Sequence, residues 1–593
     1  MAKLAVLALS TALVFACGPR VNASGDAGTT GVDAPPSDRH VLTSIEVTPT
    51  NPIVELALGQ PGSQAFLATG RYLDGVDEDL SARVTWEVSN PAVGAMSSST
   101  LVIPAFNAVS VNVAQVTAKL DGTQGLAQIT VVAYRKTGVQ QDFFFVLPYQ
   151  DPAGPAQKPL AFSTDVPALD VFFNMDTTGS MIGEITNLRT ALTGTVVPGI
   201  RTEIPDSQFG VGSFEDFPIS PYGTLAGSDC YLGGGSPLPD QPFHLRQAVT
   251  MDVTAVATAM DQYSVGGVPS GCGEDWPEAA IESIFQIGSG QGLTGPGATS
   301  VPANTSGVGG VGFRAGTMPV VVSISDAVSH APGEATVCSV DTAFGTASWG
   351  VNYTDTSVFN AAHTRAQAKA ALGGICARSV GVASIEPVFV GNANCTAQRD
   401  LEDFATATGA RVPPAAWDVP ARPAGCAAGQ CCTNFNGTGR APDGNGLCPL
   451  VFLTDEQGTG LGTHIVTGIK MLTRFATFDV TSDKVGAAGD VNGVPLPSPF
   501  TTADFIKQVI PQSFTLPPPP PSLPNPTYDA VSFFGVTPGT EVRFFVRALN
   551  DFVPQTGDAQ IFRATIRVLA GGCTALDQRE VLILVPPTPI VIQ

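Results

Sequence analysis

A chain of 593 residues has room for roughly four domains at about 150 residues each, and its 44% apolar content excludes a wholly disordered protein. Charged residues make up only 13%, beside 64 Gly and 49 Pro, a profile that suits a loop-rich, β-containing secreted protein better than a cytosolic enzyme. Fifty-one acidic against 29 basic residues leave a net charge of −22, which argues against a nucleic-acid partner.

The amino terminus points to the compartment. Lys3 precedes an apolar run from Leu4 to Phe15, too short to span a bilayer and right for the core of a signal peptide. The run ends in Val14-Phe15-Ala16-Cys17, which resembles a bacterial lipobox. That resemblance implies a signal peptide over 1–16, Cys17 as the lipid-bearing first mature residue, and a lipid-anchored place in the bacterial envelope, at the outer membrane or cell surface. Residues 17–40, rich in Gly, Ala, Asp, Ser, Pro and Thr, are expected to form a flexible tether. Ten further cysteines in an oxidising space predict disulfides. Nine lie between Cys230 and Cys448 and the tenth is Cys573, so either Cys573 crosses to the middle region or free thiols remain. Cys426, Cys431, Cys432 and Cys448 have neither a nearby His nor the spacing of a zinc finger, so they too are expected to be disulfide-bonded.

From 41 to 135 short alternating runs such as Ser44-Ile45-Glu46-Val47 and Val84-Thr85-Trp86-Glu87-Val88 are separated by turn signals such as Asn51-Pro52 and Asp121-Gly122. About seven strands in that span predict a β-sandwich. The stretch VTWEVSNPAVGAM resembles the group 2 bacterial immunoglobulin-like repeats, which implies a spacer with its core packed around Trp86. Strand patterns return at Phe143–Tyr149 and after residue 484, while Pro517–Pro521 is stiff extended linker or loop. Residues 136–167 and 484–593 are expected to build one sandwich with a central domain, 168–483, inserted in it. The arrangement resembles the hybrid domain of integrin β-subunits.

The central domain changes character. Leu169–Phe173 and Met318–Ile324 are nearly continuous apolar runs, as buried parallel strands require. Helical patterns fall at Met181–Leu192, Ala255–Tyr263, Glu278–Gln286, Ala361–Leu372 and Ile465–Phe475. Alternation of strands and helices predicts a doubly wound α/β domain, with ligands at the carboxyl ends of the strands.

The informative residues fall there. Asp176, Thr178 and Ser180 place three hard oxygen donors on one loop after the first strand, a set suited to Mg²⁺, Mn²⁺ or Ca²⁺. The pattern resembles the metal-ion-dependent adhesion site (MIDAS) of von Willebrand factor A domains. Two further stretches, FGVGSFEDFPISPY (209–222) and CGEDWPEAAIESI (272–284), resemble the integrin β I-like version specifically, and VVVSISDAVSH (320–330) resembles the family's late strand ending in Asp, all in the family's order. The resemblance implies Asp176, Thr178, Ser180, Glu278 and Asp326 around a central Mg²⁺ or Mn²⁺. It also implies Asp216, Asp275, the Pro277 carbonyl and Glu278 around a flanking Ca²⁺, with the family's Asn replaced by Gly273. Where the family carries consecutive acids for a third ion, this chain has Gly183 and Glu184, so no third site is expected. The partner implied is a protein offering a carboxylate to the central ion. A Cys230–Cys272 bridge would staple loops beside it.

Other patterns carry less. Gly307–Gly312 fits a dinucleotide fingerprint by spacing, without the flanking strand and helix, and is expected to be a loop. Asp443-Gly444-Asn445-Gly446 is expected to be a turn. His330 is expected to be a hydrogen-bonded loop residue near the metal rim. No catalytic histidine or serine motif occurs, so the expectation is a non-enzymatic, cation-dependent binding protein. The alternative is a structural envelope protein whose ion only stabilises the fold.

Overall fold

The computed structural model describes residues 40–136, 142–226, 238–342, 345–384, 395–419, 421–517 and 523–588. Cys17, Cys230 and most of the Pro517–Pro521 run lie outside them. The protein is multidomain and rich in β-structure, with several sheets. By compactness it divides into two units: one from the described residues through 51, 63–102 and 114–128, the other from 52–62, 103–113 and 129 onward.

In the first unit Leu42–Thr48 pairs antiparallel with Leu67–Tyr72, and Thr85–Val88 pairs antiparallel with residues 116–119. Val47, Ala68, Leu80, Leu101, Val116 and Ala118 are fully buried. Trp86, the expected centre of this core, is only half-buried. Its indole N–H donates to the Ser81 carbonyl at 3.0 Å and its ring tilts against Phe66. The aliphatic residues fill the interior, and the indole stays at the edge where its N–H can reach the Ser81 carbonyl.

Three segments of the expected 41–135 sandwich, 52–62, 103–113 and 129–135, belong to the second unit. There Ile53–Ala57 runs parallel to 130–134, and Val132 and Tyr134 pack with Phe144, Leu582 and Leu584. A six-stranded sheet takes Phe143–Val146, Thr574–Val585, Gln560–Ala570, Phe478–Gly486, Phe533–Val536 and Thr527–Tyr528 in that spatial order. A three-stranded sheet joins Ala156–Phe162, Glu541–Ala548 and Ile506–Thr515, with Phe544 edge-on to Phe162 and Phe533. The expected boundary at 483/484 falls inside the strand Phe478–Gly486, which pairs with Gln560–Ala570.

Between these segments lie β1 (Ala168–Asp176), β2 (Asp206–Phe214), β3 (His244–Thr250), β4 (Met318–Ser325), β5 (Arg378–Ser384) and β6 (Val451–Thr454). Their spatial order is β3-β2-β1-β4-β5-β6, with every pair parallel except β2–β3. The continuous apolar runs have a direct cause. Leu169, Val171, Phe173 and Met175 of β1 enter one core, while Phe172 enters another, with Phe313 and Ile284. Alternate residues therefore fill opposite faces of a sheet covered on both sides. The longer helices are α1 (Ile182–Ala191), α2 (Val253–Met260), α3 (Ala280–Ser289), α4 (Arg365–Gly374), α5 (Ala397–Ala407) and α6 (Leu461–Phe475).

The helical pattern over 361–372 resolves into Thr356–Ala361 and α4, because Thr364 forms a capping box with Gln367 and restarts the helix. Strand order reverses at β1, between β2 and β4, which opens a crevice at the carboxyl ends of these strands. Residues 307–312 form a loop with Gly307, Gly309 and Gly312 in the left-handed region, and Asp443 caps its own turn through the Asn445 and Leu447 amides.

Disulfides join Cys338–Cys395, Cys376–Cys573, Cys426–Cys432 and Cys431–Cys448. Cys573 thus crosses to the middle region, and the 426–448 cluster is oxidised. Cys272 is also disulfide-bonded. No helix among the described residues is long and apolar enough to cross a membrane.

Candidate metal centre at the carboxyl ends of the parallel strands

Asp176 ends β1 and is fully buried. Its Oδ1 accepts the Thr178 amide at 3.0 Å and the Thr178 hydroxyl at 2.7 Å, while Oδ2 accepts the Ser325 hydroxyl at 2.7 Å from the end of β4. Thr178 is buried, and Ser180 stands exposed on the next turn. Asp326, directly after β4, is buried.

The loop before α3 is held over this strand end by its backbone. The Gly271 amide donates to the Thr177 carbonyl and the Gly179 amide to the Cys272 carbonyl, both at 3.1 Å. Asp240 accepts the Cys272 amide at 2.9 Å and the Gly273 amide at 3.2 Å. Glu215 takes hydrogen bonds from the Thr177 hydroxyl and from the Gln241 amide at 3.1 Å, and lies 3.3 Å from His244 Nε2. Burial pushes the Glu215 carboxyl up, but His244, Arg246 and the Thr177 hydroxyl outweigh it and hold it below its ordinary value. Glu215 and Asp240 were not legible as site residues, because nothing but their acidity marks them locally. They fix the loops rather than face an ion.

Glu278 is buried at the start of the α3 segment. Its amide donates to the Val328 carbonyl at 2.9 Å and its carbonyl accepts the His330 amide at 2.7 Å. Gly273 lies against its carboxylate. A Cβ at Gly273 would sit 2.5 Å from Glu278 Oε1 and 3.2 Å from Thr178 Cγ2, on a backbone with φ of +63°. The position where the resemblance expects an Asn is therefore the space that the Glu278 carboxylate fills.

Asp216, just beyond β2, is fully buried, with Oδ1 accepting the Phe217 amide at 2.5 Å and the Tyr353 hydroxyl at 3.0 Å. Asp275 and His330 meet it: His330 Nε2 is 3.3 Å from Asp216 Oδ2 and 3.3 Å from Asp275 Oδ1. Pro277 is buried in the same loop. Glu184 is buried elsewhere, with its Oε1 accepting the Ser384 hydroxyl at 2.5 Å. The neighbouring Gly183 packs on backbone, where a Cβ would lie 2.1 Å from the Glu456 carbonyl oxygen.

The electrostatics is that of acids collected without enough positive charge. Burial raises Asp176 to about 6 and Asp216 to about 7. Glu278 is driven well above its ordinary value, first by burial and then by Asp176, Asp216 and Asp275. Oε2 of Glu278 and Oδ2 of Asp216 are buried and accept no hydrogen bond. Buried charges persist only when paired or ligating a metal, so these residues fit a divalent cation. Asp176, Thr178, Ser180, Glu278 and Asp326 would hold one ion. Asp216, Asp275, the Pro277 carbonyl and Glu278 would hold a second.

No family model matches this chain. It is 29% identical over 90 residues to ice-binding protein 1 of Shewanella frigidimarina, a stretch that is 15% of this chain and 9% of that protein. The chain thus spans about a tenth of the length of that curated relative. Among solved structures, the pilus adhesin SpaC of Lactobacillus rhamnosus GG in its open conformation aligns over 80% of this chain and 52% of its own, at 10% identity. Its TM-score of 0.27 is below what a shared fold requires.

Proposed function

We propose that this protein is a bacterial surface lipoprotein that binds a protein ligand through a divalent cation at a MIDAS-type site. The site would sit on a von Willebrand factor A domain of integrin β I-like type. The observation that carries this reading is the cluster of buried carboxylates Asp176, Asp216 and Glu278 at the strand-order reversal, with unsatisfied oxygens on Asp216 and Glu278. Mg²⁺ or Mn²⁺ at the centre would offer an open coordination position to a carboxylate of the partner, and exposed Ser180 marks the side facing solvent. Asp176 and Thr178 are locked to each other and to Ser325, so they would be held in place before the ion arrives. Cys17 would carry the lipid, and the residues after it would hold the folded units away from the membrane.

A second reading draws on the same burial. Asp176 and Asp216 are wholly enclosed, as they would be if the ion served only to stabilise an envelope protein. Capture of partners from envelope and host-surface extracts, in Mg²⁺ and then in EDTA, separates the two, with Asp176→Ala as the paired variant. Adhesion predicts that capture is lost in EDTA and in Asp176→Ala while circular dichroism shows the fold retained. Capture indifferent to both would overturn it and leave the stabilising role.

A further inference from the structure

The Asp216–Asp275–His330 cluster has a chemistry different from an all-oxygen calcium site. His330 is fully enclosed, stacked on Tyr353 at 4.2 Å between ring centres and edge-on to Tyr222 at 5.2 Å. Its Nδ1 lies 3.0 Å from the Val351 carbonyl. A carbonyl only accepts, so Nδ1 carries a hydrogen, and Nε2 is the ring atom turned toward the carboxylates. Nε2 lies 3.3 Å from Asp275 Oδ1, within hydrogen-bond reach, and 3.3 Å from Asp216 Oδ2, where the contact lacks the alignment of a hydrogen bond. Without an ion a proton on Nε2 pairs with these carboxylates; a divalent cation would displace that proton and bind Nε2 and both acids together.

The donors come from three separate segments, after β2, before α3 and after β4, and their ligand atoms all lie within 4.8 Å of one another. Two of them are oriented from behind. Asp216 Oδ1 is held by the Tyr353 hydroxyl and the Phe217 amide. His330 is held by Val351 and by the backbone ladder that joins Glu278 to Ser329. A hydrogen bond from the far nitrogen of an imidazole to a carbonyl is the outer-shell arrangement that fixes a metal-binding histidine.

We infer that Asp216, Asp275 and His330 form a binding site for a borderline first-row divalent cation of the Zn²⁺ kind, with His330 Nε2 as a direct ligand. One imidazole nitrogen and two carboxylates suit such an ion. Ca²⁺ takes six to eight oxygens, and here Gly273 supplies no side chain where an amide oxygen would add one. The inference deepens the metal reading above and rests on it for the flanking position, not for the ligand set.

The test is equilibrium dialysis of the full chain against Zn²⁺ in a large excess of Mg²⁺ and Ca²⁺, with retained metal measured by elemental analysis. One Zn²⁺ per chain is expected to survive that competition. His330→Asn and the less enclosed Asp275→Asn should each weaken retention by about tenfold or more, with circular dichroism confirming the fold. No retention by the wild type would overturn the inference. So would retention unchanged in both variants, which would assign the metal to other groups such as exposed His40. Asp176→Ala run in parallel keeps the two claims apart. Zn²⁺ held while capture is indifferent to Asp176→Ala sinks adhesion alone, and Mg²⁺-dependent capture without Zn²⁺ retention sinks this site alone.

Discussion

Removing cations should give this protein a stability that falls as pH rises, the reverse of ordinary acid denaturation. In the cation-free protein Asp216 moves from 3.8 to about 7 and Asp176 from 3.8 to about 6, burial being the first cause of each. A carboxyl whose pKa is higher folded than unfolded holds its proton more tightly in the folded state. Its contribution is complete below the unfolded value near 4 and is lost as pH rises through the folded value. At about 1.4 kcal/mol per unit, Asp216 alone accounts for roughly 4 kcal/mol and Asp176 for roughly 3 kcal/mol. The two share one cluster with Glu278, so the figures do not simply add. His330 acts in the same direction. Burial lowers its pKa, but Asp216 and Asp275 outweigh burial and leave it raised. A loss of about 4 kcal/mol is a large part of a typical domain's stability. The assay is urea unfolding followed by tryptophan fluorescence, with Trp276 beside Asp275 as a local reporter, in EDTA at about pH 5 and about pH 8. The midpoint should drop clearly at the higher pH, and Mg²⁺ should abolish the drop, because the cation takes over from the proton. Equal midpoints in EDTA at both pH values would refute the reasoning.

Three other outcomes follow from named contacts. Glu184 is raised to about 7, chiefly by burial, so its ionisation costs stability above that pH. Glu184→Gln, which keeps an acceptor for the Ser384 hydroxyl, should melt higher than wild type by about 1–3 kcal/mol at about pH 8 and match it at about pH 5. The Cys376–Cys573 bridge spans 197 residues and ties the end of α4 to the turn between Gln560–Ala570 and Thr574–Val585. Replacing both cysteines with Ser should lower stability by about 2–5 kcal/mol in denaturant unfolding. Gly273→Asn isolates the steric term, since Asn tolerates the left-handed backbone but its Cβ would displace the Glu278 carboxylate. Mg²⁺ affinity by calorimetry should fall by about tenfold or more.

Much of the site's oxygen chemistry was legible because it lies in contiguous motifs. Asp176, Thr178 and Ser180 share one turn, and Asp275, Pro277 and Glu278 share one loop, so spacing alone brings them together. The buried strands were legible for a related reason: a sheet covered on both faces favours apolar residues at successive positions, and β1 and β4 are apolar at most of theirs. α5 was not seen. Its AQRDLEDFATA sequence is mostly polar, and only Leu401, Phe404 and three short neighbours face inward. Trp86 was overweighted because its size suggests a core position, while its N–H needs a partner that the aliphatic interior lacks.

His330 shows where local reading stops. Its neighbourhood in sequence gives a histidine four residues after an acid, which by itself describes an ordinary loop. What makes it a candidate ligand arrives from far along the chain: Asp216 from β2, Asp275 from the loop before α3, Val351 and Tyr353 from beyond β4. Each of these contacts depends on the strand order, which puts β2 and β4 on either side of β1. A motif search recovers donors that one turn supplies. A mixed imidazole–carboxylate set assembled across a doubly wound sheet becomes visible only when the sheet order is known, and it is this set, not the contiguous one, that determines which class of ion the flanking position can take.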